Sequence, residues 1–262
     1  MWGGFRLGAE FGKGEGAIGE SWEVWRENRV VGTGARFGDL TDFPLLVKLL
    51  DTSKMLSVQV HPSDIDARLR VGAPHGKAEG WVVLDADPGA RIAYGLNRAL
   101  SGAQLRDHAL SGEIEGDLAW IEPRPGDVID VPPGTIHAIG PGLLLYEVQE
   151  PIDLTWRLYD WGRGRDLHLD HAVSVAIREP LPSPFRAPQE ISPGVERLLS
   201  TRNFVVERVQ LPAVRQGWEA VTVIAGSAQV GGEILQRGST IVLPPGPTRI
   251  EGKGVVLASH YP

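Results

Sequence analysis

GDVIDVPPGTIHAIG at 126–140 and GSTIVLPPGPTRIEG at 238–252 follow one pattern: a glycine, five residues, Pro-Pro-Gly, two residues, then a position that differs. That position is His137 in the first copy and Arg249 in the second. Each copy reads as strand, turn, strand, because apolar β-branched runs flank a tripeptide in which proline fixes φ and glycine admits a positive one. Two such units predict a duplicated β-barrel. An imidazole in only one of them predicts that the front barrel alone holds a metal.

The rest of the chain agrees with a mainly β fold. Short runs rich in Val, Ile and Leu, punctuated by 33 glycines and 20 prolines, predict strands at 20–25, 45–50, 56–61, 81–85, 90–94, 127–131, 135–139, 143–149 and 154–159. Further strands are expected at 204–211, 218–225, 227–230, 239–243 and 255–259. Helices are few and short: 64–70 with Pro62 at the first helical position, one or two within 101–116, and 166–177. In the last, Leu169, Ala172, Val173 and Ala176 share one face. The Pro-rich 179–194 reads as an extended linker.

Composition narrows the function classes. A chain of 262 residues buries a substantial core without staples. With no cysteine, disulfides and thiolate ligands are excluded, so a transition metal must be held by nitrogen and oxygen. The formal charge of −7 argues against a nucleic-acid partner, which needs a concentrated basic surface. The N-terminus lacks an apolar signal core and no run of about 18 apolar residues occurs, so no membrane partner and a cytoplasmic location are expected.

Three short segments carry the candidate chemistry. In LSVQVHP (56–62), Gln59 and His61 stand two apart and share a strand face, with Ser57 beside them and Val58 and Val60 opposite. In HGKAEGW (75–81), Lys77 and Glu79 have the same relation, which alone describes an ordinary ion pair. In PPGTIH, the turn can present His137 inward, and the returning LLLYEVQE carries Glu147 past it. TWRLYDWGR then places Arg157 in an apolar, aromatic strand, where a guanidinium needs an anionic partner from the protein or a ligand. His168 and His171 read as a solvated helix face, and Arg163 and Arg165 as a basic turn or a phosphate contact. Trp2, Trp22, Trp81 and Trp156 read as barrel packing, with a place beside a ligand open to one of them.

The spacing of Gly126, Pro132, Gly134 and His137 matches the second signature of the cupin fold. DFPLLVKLLDTSKMLSVQVHP (42–62), GKAE (76–79), PPGTIHAIG (132–140) and EVQEPIDLTWRLYDWGR (147–163) follow in the order of type I mannose-6-phosphate isomerases. With WGG at 2–4 and GESWEVW at 19–25, residues 2–178 resemble the short bacterial form of that family. Two cupin-type jelly-roll units are then implied: a catalytic one over 1–178 with a short helical insertion near 98–118, and a degenerate, metal-free one over 195–262.

The resemblance further implies one Zn²⁺ held by Gln59, His61, Glu79 and His137, a donor set suited to that ion. It implies a small phosphorylated sugar as substrate, and reversible conversion of mannose 6-phosphate to fructose 6-phosphate through a cis-enediol. Arg157 is then an active-site residue that stabilises the enediolate or anchors an anionic part of the substrate. Lys77, whose neutral form a nearby cation would favour, and Glu147 are rival proton-transfer groups. Ser57 and Arg163 become candidate contacts to sugar or phosphate. Two other classes remain: a metal-holding cupin that binds a sugar phosphate without turnover, and a cupin of different chemistry such as a dioxygenase.

Overall fold

The computed structural model describes residues 2–262. Their front part contains β1 (Glu20–Val24), β2 (Leu46–Asp51), β3 (Val58–Val60), β4 (Glu79–Ala86), β5 (Ile92–Leu96), β6 (Leu118–Ile121), β7 (Val128–Val131), β8 (His137–Ile139), β9 (Leu143–Gln149) and β10 (Trp156–Tyr159). These form two five-stranded sheets, ordered β1-β2-β9-β4-β7 and β10-β3-β8-β5-β6. Both are antiparallel, so each strand can turn one side chain row into the space between the sheets and the next row outward.

The helices are α1 (Arg6–Phe11), α2 (Phe37–Leu40), α3 (Asp64–Val71), α4 (Gly102–Ser111), α5 (Ile114–Asp117) and α6 (Leu169–Val175). Pro62 does not open α3: it precedes the N-cap Ser63, whose hydroxyl accepts from the Asp66 N–H. Within 101–116, α4 is set by a capping box between Ser101 and Gln104 and stopped at Gly112 in the left-handed region. The apolar face of α6 lands as expected, with Ala172 fully buried and Leu169, Val173 and Ala176 packed on the outer side of the β3–β8 sheet.

The rear part contains β11 (Gln189–Ser192), β12 (Val195–Ser200), β13 (Val205–Gln210), β14 (Ala213–Gln216), β15 (Glu219–Val230), β16 (Glu233–Gln236), β17 (Thr240–Leu243) and β18 (Pro247–His260). The strands expected at 218–225 and 227–230 are one continuous β15, which shifts register between Val223 and Ala225 and so bends without ending. That strand and the long β18 curl the sheet around Val209, Val221, Val223, Ile250 and Val256. In the 179–194 stretch, Phe185 bridges Ile129, and the proline-free residues 189–192 pair with β12.

The two parts share a core. Val47, Leu49, Val82, Tyr146 and Val148 on the outer face of the first sheet pack with Leu198, Leu199, Phe204, Val206 and Leu257 of the rear unit. Complete burial of a side chain such as Phe204 contributes roughly 1.5–3 kcal/mol. Gly80 shows how closely the units meet, since a Cβ there would lie 2.4 Å from Leu199 Cδ2 and 2.9 Å from Phe204 Cε2. A buried hydrogen bond of 2.7 Å joins the Tyr146 and Ser259 hydroxyls across the same seam. Among the described residues no helix is long and apolar enough to cross a membrane.

Candidate metal centre

Strand register brings the separate motifs into one place. Gln59 of β3 pairs with His137 of β8 on one side and with Arg157 of β10 on the other. Directly opposed residues share a sheet face, so Arg157, Gln59 and His137 form one row. On the facing sheet, Trp22, Lys48, Glu147 and Trp81 form a second row, paired strand to strand from β1 to β4. Glu79 lies two residues before Trp81 on the same face. Between the rows is a cavity of about 400 Å³, lined by Ser57, Gln59, Lys77, Glu79, His137, Glu147, Arg157 and Arg163 among others.

His61, Glu79 and His137 converge, each offering a donor atom within 4.8 Å of the others. The Nε2 atoms of His61 and His137 each stand 3.5 Å from an oxygen of Glu79. Both Nδ1 atoms are engaged behind the site, His61 with the Leu154 carbonyl at 3.0 Å and His137 with the Thr135 carbonyl at 3.0 Å. An Nδ1–H that donates to a carbonyl leaves the Nε2 lone pair free, the tautomer a metal ligand requires. Burial above all, with Lys77 and His137 nearby, pushes the His61 pKa well below its ordinary value; burial also lowers that of His137. Both imidazoles are therefore neutral at pH 7 and able to coordinate.

The polar accounting points the same way. His61 Nε2 and Glu79 Oε2 are fully buried and have no hydrogen-bond partner. An unpartnered buried polar atom costs about 1–3 kcal/mol, and a cation touching both removes that cost. Gln59 gives its amide N–H to Ser57 Oγ at 3.1 Å, and among the described residues no donor reaches its carbonyl oxygen. Two imidazole nitrogens, a carboxylate and an amide oxygen fit Zn²⁺ or a similar divalent ion.

The flanking charges are paired. Lys77 Nζ donates to Glu79 Oε1 at 2.7 Å. Burial acts to raise the Glu79 pKa, but Lys77 and His137 outweigh it and hold the carboxyl below its usual range. For Lys77, burial acts to lower the pKa, and Glu79 with Glu147 raises it by more. The protein's own carboxylates thus favour the charged amine, and a metal cation beside Glu79 would act in the opposite direction. Glu147 accepts from Trp81 Nε1 at 3.0 Å and lies 3.3 Å from Lys48 Nζ. Lys48, another buried charged group lining the cavity, was not singled out in the apolar run PLLVKLL; its signal was a lone cation inside a strand. It also sits 4.5 Å above the Trp22 ring.

Arg157, expected to need an anionic partner from the protein or a ligand, has no protein carboxylate within salt-bridge distance among the described residues; Nη1 donates to the Asp166 carbonyl at 2.8 Å and the buried Nε has no acceptor. Burial, followed by the neighbouring Arg165, lowers its pKa. His168 is not a solvated helix residue. Its Nδ1 accepts the Arg157 backbone N–H at 3.0 Å, and its own N–H donates to the Arg157 carbonyl, fixing the strand that presents the guanidinium. His171 stacks on Trp156 at 4.9 Å, outside the cavity, whereas Trp2, Trp22 and Trp81 line it.

Arg163 lines the cavity but is heavily engaged, donating to the Asp160 backbone and side chain and to the Met55 carbonyl at 2.6–3.1 Å. Arg165 shares the Asp160 carboxylate. Trp161 takes a positive φ of 55° in this turn, held by an Nε1 donation to the Leu56 carbonyl at 2.6 Å. Asp64, His75 and Glu150 form another close group outside the cavity, where both carboxylates already accept backbone N–H groups.

No protein-family model matches the sequence. Among curated proteins, the chain is 34% identical to the mannose-6-phosphate isomerase of Streptococcus mutans over 99% of this chain and 94% of that one. It is 33% identical to the mannose-6-phosphate isomerase ManA of Bacillus subtilis, covering 91% and 80%. The crystal structure of the mannose 6-phosphate isomerase from Bacillus subtilis superposes with a TM-score of 0.84 at 28% identity, over 99% of this chain and 95% of that one. A zinc-bound mannose 6-phosphate isomerase shares the fold with a TM-score of 0.76 at 14% identity, over 99% and 96%. The chain belongs to the type I mannose-6-phosphate isomerase family, with the cupin-type architecture read from its two Pro-Pro-Gly turns.

Proposed function

We infer that the protein is a zinc-dependent aldose–ketose isomerase that interconverts mannose 6-phosphate and fructose 6-phosphate through a cis-enediol. The observation that carries this reading is the orphaned His61 Nε2 and Glu79 Oε2 beside His137, inside a cavity that also holds Lys77, Glu147 and Arg157. A module that only bound a sugar phosphate would need none of these acid–base groups beside its ligand set. Zinc held by Gln59, His61, Glu79 and His137 would supply Lewis-acid stabilisation of negative charge developing on a substrate oxygen.

The chain's own residues do the rest. Glu147, gripped by Lys48 and the Trp81 indole, is the proposed base that takes the C2 proton and returns it at C1. Lys77 gives a proton to O1 as the enediol forms and takes the O2 proton back as the ketose forms, so it ends the cycle as it began. Arg157 offers a guanidinium without a protein anion, suited to the enediolate or an adjacent anionic group. Lys48 and Lys77 balance Glu79 and Glu147, so a divalent cation and Arg157 turn the cavity net positive, matching an anionic substrate. Arg165, which gives Nε and Nη2 to Asp160, is a stronger phosphate contact than Arg163, all three of whose donor nitrogens are engaged; Ser57 is a contact to the sugar.

The test is a coupled assay for fructose 6-phosphate with and without chelator. Turnover that is lost on chelation and restored by zinc is expected. A zinc-loaded protein that binds mannose 6-phosphate without converting it defeats the isomerase reading.

A further inference from the structure

We propose that Asp64 and Glu150 are positioning residues that clamp the backbone around Lys77 from behind the active-site wall; the proposal rests on the isomerase reading of the front cavity. Three consecutive N–H groups point away from that cavity into this clamp. Gly76 N–H donates to Asp64 Oδ1 at 2.8 Å, Lys77 N–H to the Pro62 carbonyl at 3.0 Å, and Ala78 N–H to Glu150 Oε2 at 2.9 Å. The Ala78 carbonyl accepts in return from the Glu150 N–H at 3.3 Å. Every peptide flanking Lys77 is therefore tied down, while its side chain reaches forward to Glu79.

The anchors come from the other two segments that carry chemistry. Pro62 and Asp64 lie one and three residues after His61, and Glu150 immediately follows the last residue of the strand that presents Glu147. Gly76 is pressed so closely on the start of α3 that a Cβ would lie 2.4 Å from the Pro62 carbonyl oxygen and 2.6 Å from the Asp64 nitrogen. Glu150 is itself 6% exposed, so its bond to Ala78 is shielded from competing water. The Asp64 and Glu150 carboxyls approach within 4.8 Å of one another. One clamp thus sets the spacing of the metal-ligand segment, the lysine segment and the base segment. Glu79 itself is held independently, by the β4 ladder to β7 and β9.

Zinc retention and lysine placement are therefore separable. In the zinc-loaded, full-length enzyme, Asp64→Ala and Glu150→Ala should lower kcat by on the order of 10- to 100-fold, with KM within about threefold of the parent and zinc still at one per chain. Asp64→Asn and Glu150→Gln keep an acceptor oxygen and should recover most of that loss. Unchanged kcat in the alanine variants, equal losses in the alanine and amide variants, or loss of zinc as the cause would each overturn the proposal. Hydrogen exchange on the unaltered protein adds a readout that needs no variant to fold: slow exchange at the Gly76, Lys77 and Ala78 amides is expected, and fast exchange there overturns the clamp. Absence of isomerase turnover in the parent would defeat the function while leaving the exchange result to judge the clamp on its own.

Discussion

The two Pro-Pro-Gly turns are alike in sequence and opposite in what they do with the residue that follows. After the first, His137 is buried and faces Glu79 and Gln59. After the second, Arg249 is exposed and pairs with Glu251 on the surface, while the next residue, Ile250, fills the rear core. A strand alternates faces at every residue, so the spacing-matched position in the rear unit lies on the wrong side of the pleat. The rear unit has not simply exchanged one side chain. Its register differs, and it contributes packing where the front unit contributes chemistry.

The largest expected effect comes from the front turn. His137→Ala should abolish bound zinc and turnover together, read by elemental analysis and the coupled assay; stoichiometric zinc in that variant would break the contrast at its root. Arg157→Ala should keep its zinc and lose kcat by on the order of 10²–10³-fold, as for removal of a preorganised donor to a developing anion. These two variants separate holding the metal from using it.

Three further changes probe the seam between the units, the clamp behind the front site and the rear turn. Phe204→Ala empties the centre of the seam between the units and should cost about 3–5 kcal/mol in denaturant unfolding, with the zinc site intact in the folded fraction. Glu150→Gln should alter the pH dependence of stability. Burial, followed by the nearby Asp64, raises the Glu150 pKa from its ordinary 4.5 to about 7, although the Ala78 N–H opposes the rise. The folded chain thus keeps a proton that the unfolded chain releases. That contribution is fully present below pH 4.5 and is lost as pH rises through about 7, so the difference in denaturation midpoint between pH 5 and pH 8 should shrink in the variant. Arg249→His should do least: no second zinc, and a stability change within about 0.5 kcal/mol.

Much of the front unit was legible because its chemistry follows simple strand rules. Ser57, Gln59 and His61 alternate with Val58 and Val60, and Lys77 with Glu79, so face assignments need no tertiary information. Lys48 was hidden because five of its neighbours in PLLVKLL are apolar, and only its pairing with Glu147 shows that its face lines a cavity. His168 was misread for a related reason: its partner is the Arg157 backbone, eleven residues away across a turn that no periodicity describes. The matched spacing of Arg249 misled in the opposite sense, since a repeat in sequence does not preserve pleat. Helix boundaries near Pro62 moved because Ser63 offers a better cap than proline offers a first turn.

The shared core has a consequence for how the chain is made. The front sheets are complete by Tyr159, but the apolar surface that covers them ends at Leu257. At roughly 5–20 residues per second, a ribosome leaves that surface uncovered for on the order of ten seconds. During this interval the nascent protein displays a sticky flank that chaperones can hold, and a transcript truncated before the final strand would yield an aggregation-prone product even though every proposed zinc ligand had already been translated.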